Sequence, residues 1–160
     1  MPRRYGGTEA HGDVQACPVK SGSTFRHHRH PEVRWVALIL EKITERIIGA
    51  AIEVHRHLGP GLMESAYRDC LAFELREVGL EVQTELVLPV VYKSLKLEAA
   101  YRLDLLVSRA VVVEVKAIRA LEAVHEAQLL TYLRFTALRV GLLINFNEAV
   151  VRSGIRRLVL

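Results

Sequence analysis

The stretch Val111-Val-Val-Glu-Val-Lys116 constrains this chain more than any other. Its four valines specify a strand, because branched side chains suit a pleated surface. Nearly unbroken apolar character predicts burial on both faces. Alternate side chains of a strand point the same way. Glu114 and Lys116 therefore face one side, and Val111, Val113 and Val115 the other. A carboxylate and an ammonium inside such a strand are costly to desolvate. Two arrangements would offset that cost. One is a mutual salt bridge. The other is a polar site in which the carboxylate holds a cation and the lysine faces a phosphate or a water.

Asp104, in Tyr101-Arg-Leu-Asp-Leu-Leu-Val107, is a second charge among apolar residues. A turn at Ser108-Arg109 makes this segment and the next an antiparallel hairpin. That pairing brings Asp104 toward Glu114. Two adjacent carboxylates repel, and a hard divalent cation such as Mg²⁺ or Mn²⁺ relieves the repulsion. Glu64 follows the break Leu58-Gly-Pro-Gly61 and opens a helix. On spacing alone it reads as structural: it complements the helix dipole, and Arg68 stands four residues on. Gln128 and Tyr132 share one helix face, with His125 three residues earlier. By itself that is the polar stripe of an amphipathic helix.

The remaining pattern supplies a frame for these residues. Residues 1–33 read as a loose basic leader, rich in Gly, Ser, His and Arg without apolar periodicity. Its run His27-His28-Arg29-His30 reads as a solvated basic patch, since a metal site needs ligands held in place. Residues 34–160 read as one domain. A helix from Arg34 carries Ile39, Ile43, Ile47, Ala50, Ala51 and Val54 on one face. A second, about Leu62 to Val78, carries Leu62, Ala66, Cys70, Phe73 and Leu75, and Gly79 ends it. Strands follow at Val82–Tyr92, Leu95–Val107 and Ala110–Ile118. A third helix runs from about Leu121 to Leu138, and a strand from Arg139 to Phe146. Ile155–Leu160 is either a fifth strand or an extended tail. This order specifies an α/β fold with a mixed central sheet flanked by helices.

Composition narrows the function classes. The hydrophobic fraction of 51% and the charged fraction of 25% over 160 residues belong to a soluble globular protein with a sizeable core. Val36–Leu40 and Leu86–Val91 are the longest apolar runs and are too short to cross a bilayer. No apolar stretch follows Arg3 and Arg4, so no secretory signal is expected and the cytoplasm is the expected compartment. Cys17 and Cys70 lack CxxC spacing, which excludes a zinc knuckle or redox motif. Cys70 reads as a core residue. Residues 1–40 hold six Lys and Arg against three Asp and Glu, and residues 41–160 sixteen against fifteen. The basic surplus thus sits on the leader, and the balance permits a polyanionic partner without demanding one.

Gly61-x-x-Glu64-x-x-Tyr67 resembles the signature of the GxxExxY family, small bacterial and archaeal proteins assigned to the PD-(D/E)XK nuclease superfamily. The resemblance runs from about Ile43 to the C-terminus. It is carried by Ile47–His55, Leu58–Gly61, Tyr101–Asp104, Val113–Ala117, His125–Tyr132 and Gly141–Asn147, in that order. It implies a restriction-endonuclease-like core. Asp104 would fill the superfamily's Asp position and Glu114-Val115-Lys116 the (D/E)XK triplet. Glu64 would be the acidic residue of the first core helix. Gln128 and Tyr132 resemble the Gln-x-x-x-Tyr motif of an exonuclease branch. Leu103 stands where the superfamily has proline before the Asp. The implied activity is hydrolysis of nucleic-acid phosphodiesters, DNA above RNA. Glu64, Asp104, Glu114 and the Val115 carbonyl would hold Mg²⁺ or Mn²⁺, and Lys116, Gln128 and Tyr132 would assist. Two rival expectations stand beside it. One is a nucleic-acid-binding or adaptor protein that keeps the fold without turnover. The other is an interaction module, such as a homodimer, in which Glu114–Lys116 is a plain salt bridge.

Overall fold

The computed structural model describes residues 31–160, so Cys17, the His27–His30 run and most of the expected leader lie outside the described residues. Helix α1 spans Pro31–Leu58. It starts three residues before Arg34, on a proline whose missing N–H is not needed in a first turn. The expected apolar face is buried at Ile47, Ala50, Ala51 and Val54, but Ile39 is exposed. Leu40 and Ile43 make the inward contact in those early turns instead. Gly59 closes α1 in the left-handed region (φ 64°), and its N–H donates to the His55 carbonyl at 2.8 Å.

Helix α2 spans Glu64–Glu77 and buries Tyr67, Leu71, Ala72 and Leu75. Of the expected face Leu62, Ala66, Cys70, Phe73 and Leu75, Leu75 is fully buried and Cys70 packs against the core, but the stripe is rotated at Leu62 and Phe73. Tyr67 is fully buried and leads the stripe Tyr67-Leu71-Leu75, while Leu62 and Phe73 are exposed. The helix ends as expected at Gly79 (φ 76°). Leu80 N–H donates to the Leu75 carbonyl and Gly79 N–H to that of Arg76, a Schellman closure.

Strands β1 (Val82–Tyr92), β2 (Leu95–Val107) and β3 (Val111–Lys116) form an antiparallel meander. The register of β1 against β2 shifts around Pro89, which has no N–H to give the ladder. The β2–β3 turn places Ser108 and Arg109 at positive φ, as a tight hairpin requires, and Ala110 N–H donates to the Val107 carbonyl at 3.0 Å. Helix α3 (Ala123–Thr136) crosses back to β4 (Val140–Asn145), which runs parallel to β3. A 3₁₀ turn, Val151–Gly154, leads into β5 (Ile155–Val159), paired antiparallel with β4. The C-terminal segment is therefore a fifth strand. The sheet order is β1-β2-β3-β4-β5.

Helices α1 and α2 cover one face of this mixed sheet and α3 the other, and each interface has its own core. Val111, Val113 and Val115 pack with Ile47, Ala51, Tyr67 and Leu71. Val112 packs on the opposite face with Leu129, Tyr132 and Leu133. The double-sided burial of β3 expected from its valines is thus observed, and it places Glu114 between two apolar layers.

Candidate active site

The site forms where β2 and β3 part. Their pairing runs from Val107 opposite Val111 to Leu105 opposite Val113 and ends there. One step further, Asp104 would face Glu114. β3 nevertheless stays paired with β4 as far as Lys116 opposite Asn145. The backbone released by β2 is taken up by carboxylates. Asp104 Oδ2 accepts the Val115 N–H at 2.9 Å. Glu64 Oε1, from the first turn of α2, accepts the Ala117 N–H at 3.2 Å. Helix α2 and strand β2 are thereby both tied to the end of β3.

Glu114 is the most constrained of the acidic groups, with only 3% of its side chain exposed. Lys116 Nζ donates to its Oε1 at 2.6 Å. Its Oε2 is buried and has no hydrogen-bond partner among the described residues. The salt bridge weighed from the sequence therefore exists and satisfies half of the carboxylate. Leaving the other half bare inside a protein is costly. Burial, followed by the charge of Asp104, pushes the Glu114 carboxyl up to about 7 despite the lysine beside it. Burial also raises the Asp104 carboxyl, against the pull of the Val115 N–H, Lys116 and Arg68. Burial pulls the Lys116 ammonium down, but the bond to Glu114 and the surrounding carboxylates carry it above its ordinary value.

Gln128 and Tyr132 do project together from α3, and Gln128 Nε2 donates to the Tyr132 hydroxyl at 2.5 Å. Burial, followed by the Glu114 charge, raises the Tyr132 hydroxyl pKa, which links this pair electrostatically to the carboxylates. His125 serves elsewhere: its Nδ1 accepts the Glu122 N–H, and with the Glu122 side chain it closes a capping box at the start of α3. Arg68 does not pair with Glu64 as the four-residue spacing suggested. Its ion pairs go to Asp69 at 3.0 Å and Glu85 at 3.2 Å. A cleft of about 570 Å³ opens over Glu64, Arg68 and Asp104, walled by Gly61–Ser65 and Ala117.

Three supporting residues escaped sequence reasoning. The Tyr67 ring stacks on Phe146 with centroids 4.6 Å apart. Its hydroxyl is bonded within the protein: it donates to the Gly59 carbonyl at 2.5 Å and accepts the Leu62 N–H at 3.1 Å. It thus clamps the glycine loop that delivers Glu64. Asn145, fully buried at the end of β4, accepts the Ile118 N–H and donates to the Ile118 carbonyl. It holds the chain leaving β3, and a lone amide closing an apolar strand was its signal. His55 reaches 93 residues along the chain to the Glu148 carbonyl at 2.8 Å.

Among the described residues no three of the His, Cys, Asp and Glu side chains stand together as a ready-made metal cage. Glu64 and Asp104 each turn an oxygen onto backbone instead. The donor set is nonetheless all oxygen, as a hard divalent cation requires, and the bare Glu114 Oε2 is an acceptor that a cation would satisfy.

A family model described as the PD-(D/E)XK nuclease superfamily matches residues 41–158. The chain belongs to the PD-(D/E)XK nuclease superfamily. No curated protein and no solved structure matches it. The α/β architecture, with a mixed sheet between helices, agrees with a PD-(D/E)XK nuclease fold. The matched span contains every carboxylate discussed above. Among the described residues no helix is long and apolar enough to cross a membrane.

Proposed function

We propose that this protein is a divalent-cation-dependent nuclease that hydrolyses nucleic-acid phosphodiesters, with DNA as the preferred substrate and residues 34–160 as its single catalytic domain in the cytoplasm. One observation carries the reading: the buried carboxylate of Glu114 has one oxygen on Lys116 and the other without a partner among the described residues, beside Asp104 at a parted hairpin.

Glu64, Asp104, Glu114 and the Val115 carbonyl are the groups that would hold Mg²⁺ or Mn²⁺. Such a cation supplies an acidified water and offsets charge building on the phosphate. The protein's own residues do the rest. Asp104 and Glu64 give up their bonds to the Val115 and Ala117 N–H groups or share them. Lys116, already held against Glu114, presents its remaining ammonium protons to the attacking water or to the pentacovalent phosphate. The Gln128–Tyr132 pair positions that water or the substrate backbone from the α3 side. Nucleic-acid binding comes with the superfamily's chemistry, whereas the choice of DNA rests on the family resemblance.

A second reading keeps the fold and binds nucleic acid without turnover. It is favoured by the oxygens of Glu64 and Asp104 that are already engaged with backbone. Labelled single- and double-stranded DNA and RNA, incubated with Mg²⁺ or Mn²⁺, separate the two. Cleavage by wild type, abolished in Glu114→Ala and Lys116→Ala, is the expected result. Wild type as inert as both variants on every substrate would transfer the case to the second reading.

A further inference from the structure

The nuclease reading leaves open how a polyanion approaches a cluster of carboxylates. Phosphate contacts need cations, and residues 41–160 are close to neutral. Lys116 is half-buried and engaged with Glu114. Of the described residues lining the 570 Å³ cleft, Arg68 is the one cation.

Its surroundings prepare it for a ligand. The side chain is only 17% exposed. Nε donates to Asp69 Oδ1 at 3.0 Å, and Nη1 lies 3.2 Å from Glu85 Oε1. Nη2 enters no hydrogen bond or ion pair among the described residues. Nε and Nη1 are thus braced, and Nη2 of this cleft-lining residue is left for an acceptor. A fork held in this way loses little freedom when it binds an anion.

Glu85 makes the brace at a cost. It lies across from Asp104, between the pairs Thr84–Leu105 and Leu86–Leu103, and has φ 53°. A left-handed non-glycine residue inside a strand is strained, and such strain gathers at functional sites. The backbone conformation that places this carboxylate therefore occurs in register with a proposed catalytic residue.

We propose that Arg68 is a phosphate-binding residue, taking a backbone phosphate of the nucleic-acid substrate through Nη2 while Glu85 and Asp69 hold the rest of the fork. This rests on the nuclease reading for its substrate class. The competing role for Arg68 is a plain tie between α2 and β1.

The test uses the full chain and 5′-labelled single-stranded and duplex DNA. Binding is followed by anisotropy across a salt series, in EDTA and in Ca²⁺, and cleavage kinetics are followed in Mn²⁺. Arg68→Ala is expected to weaken binding roughly 10-fold and to lower the salt slope by about one. In cleavage it raises KM more than it lowers kcat. Arg68→Lys recovers part of the binding, because the charge returns without the fork. Glu85→Gln weakens binding by less than Arg68→Ala, roughly 2- to 3-fold, because the brace loosens while the phosphate contact stays. Arg68→Ala binding with unchanged affinity and salt slope overturns the proposal. So does Glu85→Gln losing as much as Arg68→Ala, which marks a structural tie, and so does wild type that binds neither DNA. Arg68-dependent binding without any cleavage would retain the phosphate contact and sink the nuclease reading alone.

Discussion

Asp104 Oδ2 takes the Val115 N–H at 2.9 Å at the step where the β2–β3 ladder opens and Asp104 would otherwise face Glu114. The carboxylate thus substitutes for a strand partner, and an amide oxygen can do the same. Burial already disfavours its charge. Asp104→Asn is therefore expected to melt at or above the wild-type temperature without added metal. Its cleavage rate should fall by at least roughly 100-fold, as for loss of a charge that stabilises a transition state. Intact cleavage in Asp104→Asn, assayed beside its melting curve, would remove Asp104 from the chemistry.

The raised Glu114 carboxyl has a consequence for stability against pH. Its value in the fold, about 7, lies above its ordinary 4.5. The folded state then holds a proton that the unfolded state has released, so metal-free stability falls as pH rises from about 4.5 to 7 and levels off above. Asp104 shifts in the same direction. The loss is on the order of 1–3 kcal/mol. Urea unfolding at pH 5 and pH 8 measures it, and Glu114→Gln should flatten the difference. A wild-type midpoint that does not fall over this window would show that the Glu114 carboxyl is not raised in the fold.

The Tyr67 hydroxyl holds both sides of the glycine loop before Glu64. Tyr67→Phe keeps the stack on Phe146 but leaves the Gly59 carbonyl and Leu62 N–H without that partner. A loss of about 1–2 kcal/mol is expected in urea unfolding. An unchanged midpoint would mean that water replaces the hydroxyl at no cost.

Much of this site follows from short-range rules. A period of two put Glu114 and Lys116 on one side of β3, and they are bonded at 2.6 Å. A period of about four put Gln128 beside Tyr132. The hairpin turn brought Asp104 to β3. What these rules could not reach lies far along the chain or depends on an irregular backbone. Glu64 meets Ala117 across 53 residues, and no local spacing reports that contact. Only the resemblance of Gly61–Tyr67 to a family signature singled Glu64 out. Helical spacing assigned Arg68 to Glu64, yet its partner Glu85 sits on another element in a conformation that its residue type does not announce. The α2 stripe expected through Leu62 and Phe73 missed Tyr67 and Leu71, which are buried with Leu75. The parting of β2 from β3 was equally hidden, because Val-rich sequence alone would continue the ladder.

The central claim is that the bare oxygen of Glu114 marks a divalent-cation site. Calorimetric titration of Mn²⁺ into wild type and Glu114→Gln at pH 8 tests it most directly. The account predicts saturable binding to wild type, weakened at least roughly 10-fold in the variant. Absence of binding to wild type, or equal binding to both proteins, would contradict it.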